Sequence, residues 1–433
     1  MPAAATERLI QPARNIQGSL RLPGDKSISH RYALLGGLAE GTTRLTNFST
    51  GADCASSLAC VGALGALVTH SSDGSVEITG AAGHFRPSAS PLDCGNSGST
   101  MRMLSGLLAA QSGAFTLAGD ASLSRRPMER ISKPLAHMGA RVELTDGHAP
   151  ITIHGAPLTA IDYATPIPSA QVKTALLFAG LQASGTTTVG ESVRTRDHGE
   201  LALRAFGATI QRSLDSVSIA GGQPLHAIEA TVPGDISSAA FFLCAAALFP
   251  GSNLIFDALG LNPTRATLLD VLTALGAHIG VLNLEDKHGE LVGVVQVNAP
   301  PQGLTGTTIS GALSAQLIDE LPVLAAIGPY TRNGIRIRDA KELRVKESDR
   351  IALVAANLRA MGAEVEEFDD GLDVPGGQTL HGAEIDSGGD HRIAMAFSVA
   401  ALRATGDTLI RGAESAAISF PEFFDLLDRI TER

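Results

Sequence analysis

The chain has 433 residues, of which 44% are apolar and 18% charged, which is ordinary globular usage with room for two to four domains and excludes one small domain. Its 33 basic and 44 acidic residues leave a formal net charge of −11, so neither nucleic acid nor an anionic membrane is an expected partner. The 47 glycines, about 11% of the chain against a usual 7% or so, require frequent tight turns.

At the start, Met1 to Ile10 shows no basic-then-apolar signal pattern, and the longest apolar run, Ala239 to Phe249, is too short to span a bilayer. Cys54, Cys60, Cys94 and Cys244 form no CxxC pair, so neither a disulfide framework nor a zinc cage is indicated. A cytoplasmic protein is the expectation.

Followed from the N-terminus, the chain repeats one phrase six times: an apolar helical run, a glycine stop, then a β-branched strand. The stops are Gly41, Gly113, Gly185, Gly251, Gly334 and Gly406, at intervals of 72, 72, 66, 83 and 72. A second phrase falls between them, a helix ending in Gly-Ala before a strand, at Gly65, Gly139, Gly207, Gly276 and Gly362. Each unit therefore carries two helices, with glycine where a left-handed C-cap is expected. The sixth second helix, Phe423 to Ile430, is expected to stop at the chain end.

Six units of alternating strands and helices predict an α/β fold with apolar helices buried against sheets. An open solenoid is disfavoured, because units of this length exceed the usual ~20 to 50 residues of solenoid repeats. Two closed groups of three fit better. LPGDKSIS at Leu22 and VPGDISSA at Val232 read as equivalent openings of two halves, giving domains of residues 21–233 and of 1–20 plus 234–433.

The segments before the first helices differ from unit to unit: PGDKSISHR, CGNSGSTMR, PSAQVK, PGDISSAA, SAQLIDELP and GGDHR. Each combines capping residues with a helix start, where free N–H groups and the dipole attract anions. Capping alone does not need the cations that several carry. Lys26, Arg31, Lys173 and Arg392 lie in these segments, and Arg126, Arg196, Lys346 and Arg350 on other loops or second-helix starts. Eight cations would match two small phosphorylated carboxylates, each phosphate carrying about −1.5 to −2. There is no GxxxxGK[ST], no GxGxxG after a strand, no HExxH and no GxSxG, so acid and base work falls to carboxylates or lysines. The candidates are Asp319, Glu320, Glu347 and Asp349, while His30, His198 and His391 read as structural hydrogen-bond donors.

On LPGDKSISHR, GNSGSTMR, RRPM, PSAQVK, RDH, LIDELPVLAA, RVKESDR, DHRIAM and SFPEFF, in that order, the chain resembles the 5-enolpyruvylshikimate-3-phosphate synthase family almost end to end. The resemblance implies a two-domain inside-out α/β barrel of six βαβαββ repeats, three per domain, with the active site in the interdomain cleft. It implies transfer of the enolpyruvyl group of phosphoenolpyruvate to the 5-hydroxyl of shikimate 3-phosphate, in aromatic amino-acid and chorismate biosynthesis. No cofactor or metal is implied, and a monomer is.

Carried over by motif, Lys26, Ser27, Arg31, Ser169, Ala170, Gln171, Arg196, Asp319 and Lys346 would contact shikimate 3-phosphate. Lys26, Asn96, Gly98, Arg126, Gln171, Arg350 and Arg392 would contact phosphoenolpyruvate; Lys173 would add charge near Ser169, Ala170 and Gln171, and Thr195 is a further candidate. Asp319 would take the hydroxyl proton, Glu347 would protonate the vinyl carbon, and Lys26 completes the catalytic set. Ile418 stands where one branch of the family has a lysine, and Thr195 where a serine is usual. PSAQVK and RDH resemble the branch that often resists glyphosate, whereas the small Gly98 goes with sensitivity. The related transferase acting on UDP-N-acetylglucosamine is the alternative; it would show Lys-Asn near the start and a loop cysteine, in place of Asp25-Lys26-Ser27. A non-catalytic relative would have lost the charged helix starts.

Overall fold

The structure, a computed structural model, describes residues 7–433. Residues 1–6, expected to join the C-terminal half, lie outside the described residues. The chain divides into two compact units. One comprises Gly24–Val232 with Asp286–Glu290 and is termed the N-terminal unit; the other, the C-terminal unit, comprises residues 7–23, Pro233–Glu285 and Leu291–Arg433.

In the N-terminal unit, three apolar helices, Lys26–Leu38, Gly98–Leu108 and Ala170–Gly180, are buried almost throughout and pack on one another. Three four-stranded sheets accompany them, each with one parallel and two antiparallel pairings. The middle repeat shows the unit complete: strand Leu92–Asp93, inner helix, strand Gly113–Ala118, outer helix Glu129–His137, then strands Arg141–Thr145 and His148–Gly155. Outer helices bury one face only, as the mixed burial of Glu129–His137 shows, whereas inner helices have no polar stripe because they meet protein on every side.

The C-terminal unit also sets three sheets, of five, four and three strands, around three inner helices, Ile236–Ala247, Leu321–Ile327 and His391–Ala401. Every residue of Ile236–Ala247 is buried. Phe242, Phe420 and Phe423 cluster at centroid distances of 5.5–6.0 Å and fill this core with aromatic area.

The strands beside the two chain crossings belong to a different unit from the helices that follow them. Asn15–Arg21 leads to the helix Lys26–Leu38 but pairs in parallel with Asn253–Gly260 in the C-terminal unit. Glu229–Thr231 leads to Ile236–Ala247 but pairs with Thr42–Thr46 in the N-terminal unit.

The eleven stop glycines all have positive φ, from 81° to 125°. Gly334 shows the requirement most directly: at φ 81°, an added Cβ would lie 2.3 Å from the carbonyl oxygen of Val374. Two expectations change. After Phe423–Ile430 the chain continues into a strand, Thr431–Glu432, which pairs with Asn15 and Ile16. SAQLIDELP is not one helix start: a short helix, Ala312–Gln316, precedes a turn, and Leu321–Ile327 begins anew with Pro322 in its first turn, where proline's missing N–H costs nothing. Asp319 sits in that turn. Among the described residues, no helix is long and apolar enough to cross a membrane.

Candidate functional site

The N-terminal unit holds five of the eight cations named from the sequence, Lys26, Arg31 and Lys173 on inner helices and Arg126 and Arg196 on loops. Asp25 caps its helix by accepting from the Ile28 N–H at 2.9 Å, which leaves Lys26 and Ser27 in the first turn. Lys26 is partly exposed and pairs with Asp53 at the start of the outer helix Ala52–Ala63. Arg31, one turn on, donates to the Ser27 carbonyl at 2.8 Å and to the Thr174 hydroxyl at 3.0 Å. Burial brings the Arg31 guanidinium down to about 10, opposed by Glu200 and Asp25 and reinforced by Arg196.

Ser97 caps the second inner helix, and Gly98 opens it. A Cβ on Gly98 would lie 2.9 Å from Nη1 of Arg102 and 3.3 Å from Nη1 of Arg126, so only a residue without a side chain leaves both arginines undisturbed. Arg126 donates to the Asn96 side-chain oxygen at 2.7 Å, and the Asn96 amide donates to Asp120 at 2.7 Å. Gln171, at the third inner-helix start beside Ser169 and Ala170, accepts from Arg102 at 2.7 Å and donates to the Ser99 hydroxyl at 2.9 Å. Ser169 caps that helix. Lys173 differs from the other cations: its side chain is 0% exposed, and Nζ lies 2.8 Å from both Glu191 and Glu200. Thr195 donates through its N–H and its hydroxyl to Glu191.

His30 is buried beneath this surface, with Nδ1 2.8 Å from the Ser57 hydroxyl. Burial first, then Lys26 and Arg31, hold its pKa well below the usual value. Folding therefore expels a proton from His30 at mildly acidic pH. Its contribution to stability is complete above the unfolded pKa of about 6.5 and is lost as pH falls from there toward the depressed folded value. Replacing His30 with Gln is expected to flatten the stability profile below pH ~6.5 by up to about 1.4 kcal/mol per pH unit. Denaturant titrations of both proteins at several pH values test this, and parallel profiles would count against it.

In the C-terminal unit, the remaining named residues gather around Arg350, the first residue of the outer helix Arg350–Ala360. Its side chain is 1% exposed and donates to both oxygens of Asp390, at 2.8 and 3.2 Å, and to Glu347 at 2.6 Å. Nη1 lies 3.7 Å from Asp319, and Lys346 Nζ is also 3.7 Å from Asp319. Burial works against the Arg350 charge, but Asp390, Glu347 and Asp319 outweigh it and raise its pKa. Burial would likewise raise Asp390, yet Arg350 overrides it and holds this carboxyl below its usual range. Arg392 donates to the Asp319 carbonyl at 2.6 Å.

The four candidate carboxylates separate cleanly. Asp349 caps its helix and accepts from Arg344, while Glu320 is 3% exposed and accepts from Ser237. Asp319 and Glu347, at 16% and 20%, remain accessible on either side of Arg350. Ile418 ends a 3-10 turn and is half-buried, contributing no charge there. Asp53, Arg102, Asp120 and Asp390 were not singled out from the sequence, although each holds a residue that was. Arg102 and Asp390 do fall within the charged segments CGNSGSTMR and GGDHR, which was the available signal.

A family model described as EPSP synthase (3-phosphoshikimate 1-carboxyvinyltransferase) matches residues 10–427. The 3-phosphoshikimate 1-carboxyvinyltransferase of Koribacter versatilis is 66% identical over 424 residues, covering 98% of this chain and 99% of the relative. That of Solibacter usitatus is 52% identical over 437 residues, covering 98% and 100%. Among solved structures, an EPSP synthase from Acinetobacter baumannii is 39% identical with a TM-score of 0.87, covering 99% of this chain and 98% of that one. The enolpyruvyl transferase NikO of Streptomyces tendae, at 21% identity and a TM-score of 0.79 over 99% and 98% of the two chains, shares the fold.

Proposed function

Because this chain belongs to the EPSP synthase (3-phosphoshikimate 1-carboxyvinyltransferase) family, we propose that its two clusters act on one pair of substrates with a division of labour between them. The reaction transfers the enolpyruvyl group of phosphoenolpyruvate to the 5-hydroxyl of shikimate 3-phosphate and releases phosphate. It proceeds by addition, in which the hydroxyl oxygen attacks C2 while C3 gains a proton. Elimination then removes a proton from the C3 methyl as phosphate leaves with C–O cleavage, so the double bond of the enolpyruvyl group is restored.

In this reading the N-terminal cluster supplies anion binding. Lys26, Ser27, Arg31, Arg196 and the start of the helix at Ser169–Gln171 receive shikimate 3-phosphate, and Asn96, Gly98 and Arg126 receive phosphoenolpyruvate. The C-terminal cluster supplies proton transfer. Asp319 accepts the 5-hydroxyl proton, Lys346 holds the same substrate, Glu347 protonates C3, and Arg350 and Arg392 hold the phosphoenolpyruvate anion. Fixed cations hold the phosphate and carboxylate groups of both substrates and favour the charge that the departing phosphate gains as its C–O bond breaks, because they need no reorganisation when it forms.

The observation that carries these roles is the arrangement at Arg350, where two accessible carboxylates, Asp319 and Glu347, flank one buried guanidinium at 3.7 and 2.6 Å. One must accept a proton and the other deliver one, so they need unlike surroundings. Asp319 has Lys346 and Arg350 beside it at 3.7 Å, while Glu347 accepts a close bond from Arg350 at 2.6 Å. The four cysteines, all buried and unpaired, fit a cytoplasmic protein, and a single chain supplies both clusters, so a monomer suffices. Purified protein mixed with shikimate 3-phosphate and phosphoenolpyruvate should release inorganic phosphate in proportion to product. Folded protein that releases none would reject this function.

A further inference from the structure

Lys173 has the residue type of a substrate ligand but the surroundings of a structural one. Its ammonium is enclosed, 2.8 Å from Glu191 and 2.8 Å from Glu200. One cation shared by two carboxylates leaves a net negative charge, and Glu200 is the neighbour that most favours the charge on Arg31. Glu191 uses its other oxygen to accept from both the N–H and the hydroxyl of Thr195. Arg196 follows directly. The far side of the loop is also tied down, since Asp197 accepts from Arg194 at 3.1 Å and Arg212 at 2.9 Å. Gly199 packs so closely on Thr174 that an added Cβ would lie 2.5 Å from its hydroxyl.

We propose that Lys173 is a positioning residue: through Glu191 it fixes Thr195, and this sets the loop that presents Arg196 to shikimate 3-phosphate. The proposal rests on the functional reading above and assigns Lys173, Glu191 and Thr195 a shared task that needs no contact with substrate. It also explains how threonine serves at position 195, since the bond to Glu191 uses only the hydroxyl and backbone N–H that serine would offer.

Thr195→Val removes the hydroxyl while keeping the shape, and Thr195→Ser keeps the hydroxyl. Thr195→Val is expected to raise KM for shikimate 3-phosphate about tenfold, with kcat and KM for phosphoenolpyruvate changed less than about threefold. Thr195→Ser should restore KM for shikimate 3-phosphate to within about threefold of wild type, and Glu191→Gln should shift it in the same direction as Thr195→Val. Lys173→Met should lower the melting temperature, since it strands two buried carboxylates, whereas a cation that merely faced substrate would leave it unchanged. An unaltered KM for shikimate 3-phosphate in Thr195→Val, or an equal rise in both KM values, overturns the proposal while wild-type turnover leaves the functional reading intact. A folded wild type without turnover overturns both.

Discussion

Glu347→Gln should lower kcat by about 10² to 10⁴, the range a positioned general acid supplies, with the melting temperature little changed. Glutamine keeps the volume and one acceptor for Arg350, which also retains its two bonds to Asp390, so the buried guanidinium is not stranded. What glutamine lacks is a transferable proton. The loss should therefore appear in kcat, with a smaller change in KM for either substrate. Stopped-flow or steady-state phosphate release measures it, and a kcat within a factor of about three of wild type would remove the acid role from Glu347.

The same residues show what the sequence made legible. The repeat could be read because its glycine stops are local: the backbone turns at each one, and the requirement lies within a few residues of the helix it ends. Charged helix starts could be read for the same reason. Partners could not, because they are brought together by folding alone. Lys26 meets Asp53 across 27 positions, Gln171 meets Arg102 across 69, and Arg350 meets Asp390 across 40. Nor could periodicity separate Asp319 from Glu320. They are adjacent in sequence, yet one carboxylate remains accessible beside Arg350 and the other is buried against Ser237. Lys173 shows the converse problem, in that its residue type and motif signal anion binding while its burial between two carboxylates directs its charge inward.

Asp390→Ala should cost about 3–5 kcal/mol of stability, the range for breaking a buried pair by removing one partner. The Asp390 side chain is 0% exposed and does three things at once. It binds Arg350 through two oxygens, accepts from the Ser348 hydroxyl at 2.9 Å, and caps the inner helix His391–Ala401 through the Arg392 N–H at 2.9 Å. Alanine leaves the Arg350 charge buried with its strongest counterion gone, and it uncaps the helix. Asp390→Asn should lose less, because an amide can still cap and still accept one bond from Arg350. Urea unfolding of the three proteins should rank wild type above Asn above Ala. Equal midpoints would show that the Asp390–Arg350 pair contributes no net stability.

The exchange of strands beside the chain crossings has a consequence for biosynthesis. Asn15–Arg21 leaves the ribosome early, but its neighbour in the sheet starts at Asn253, 232 residues after Arg21. At about 5–20 residues per second, that is a delay on the order of 10–50 s. For that interval the nascent polypeptide carries an unpaired strand with its ladder groups open to other molecules. Meanwhile residues 24–232, contiguous and nearly self-sufficient, can already collapse around their own three helices. Translation thus imposes an order of assembly in which a strand made near the start waits for its neighbour until residues 24–232 have been synthesised.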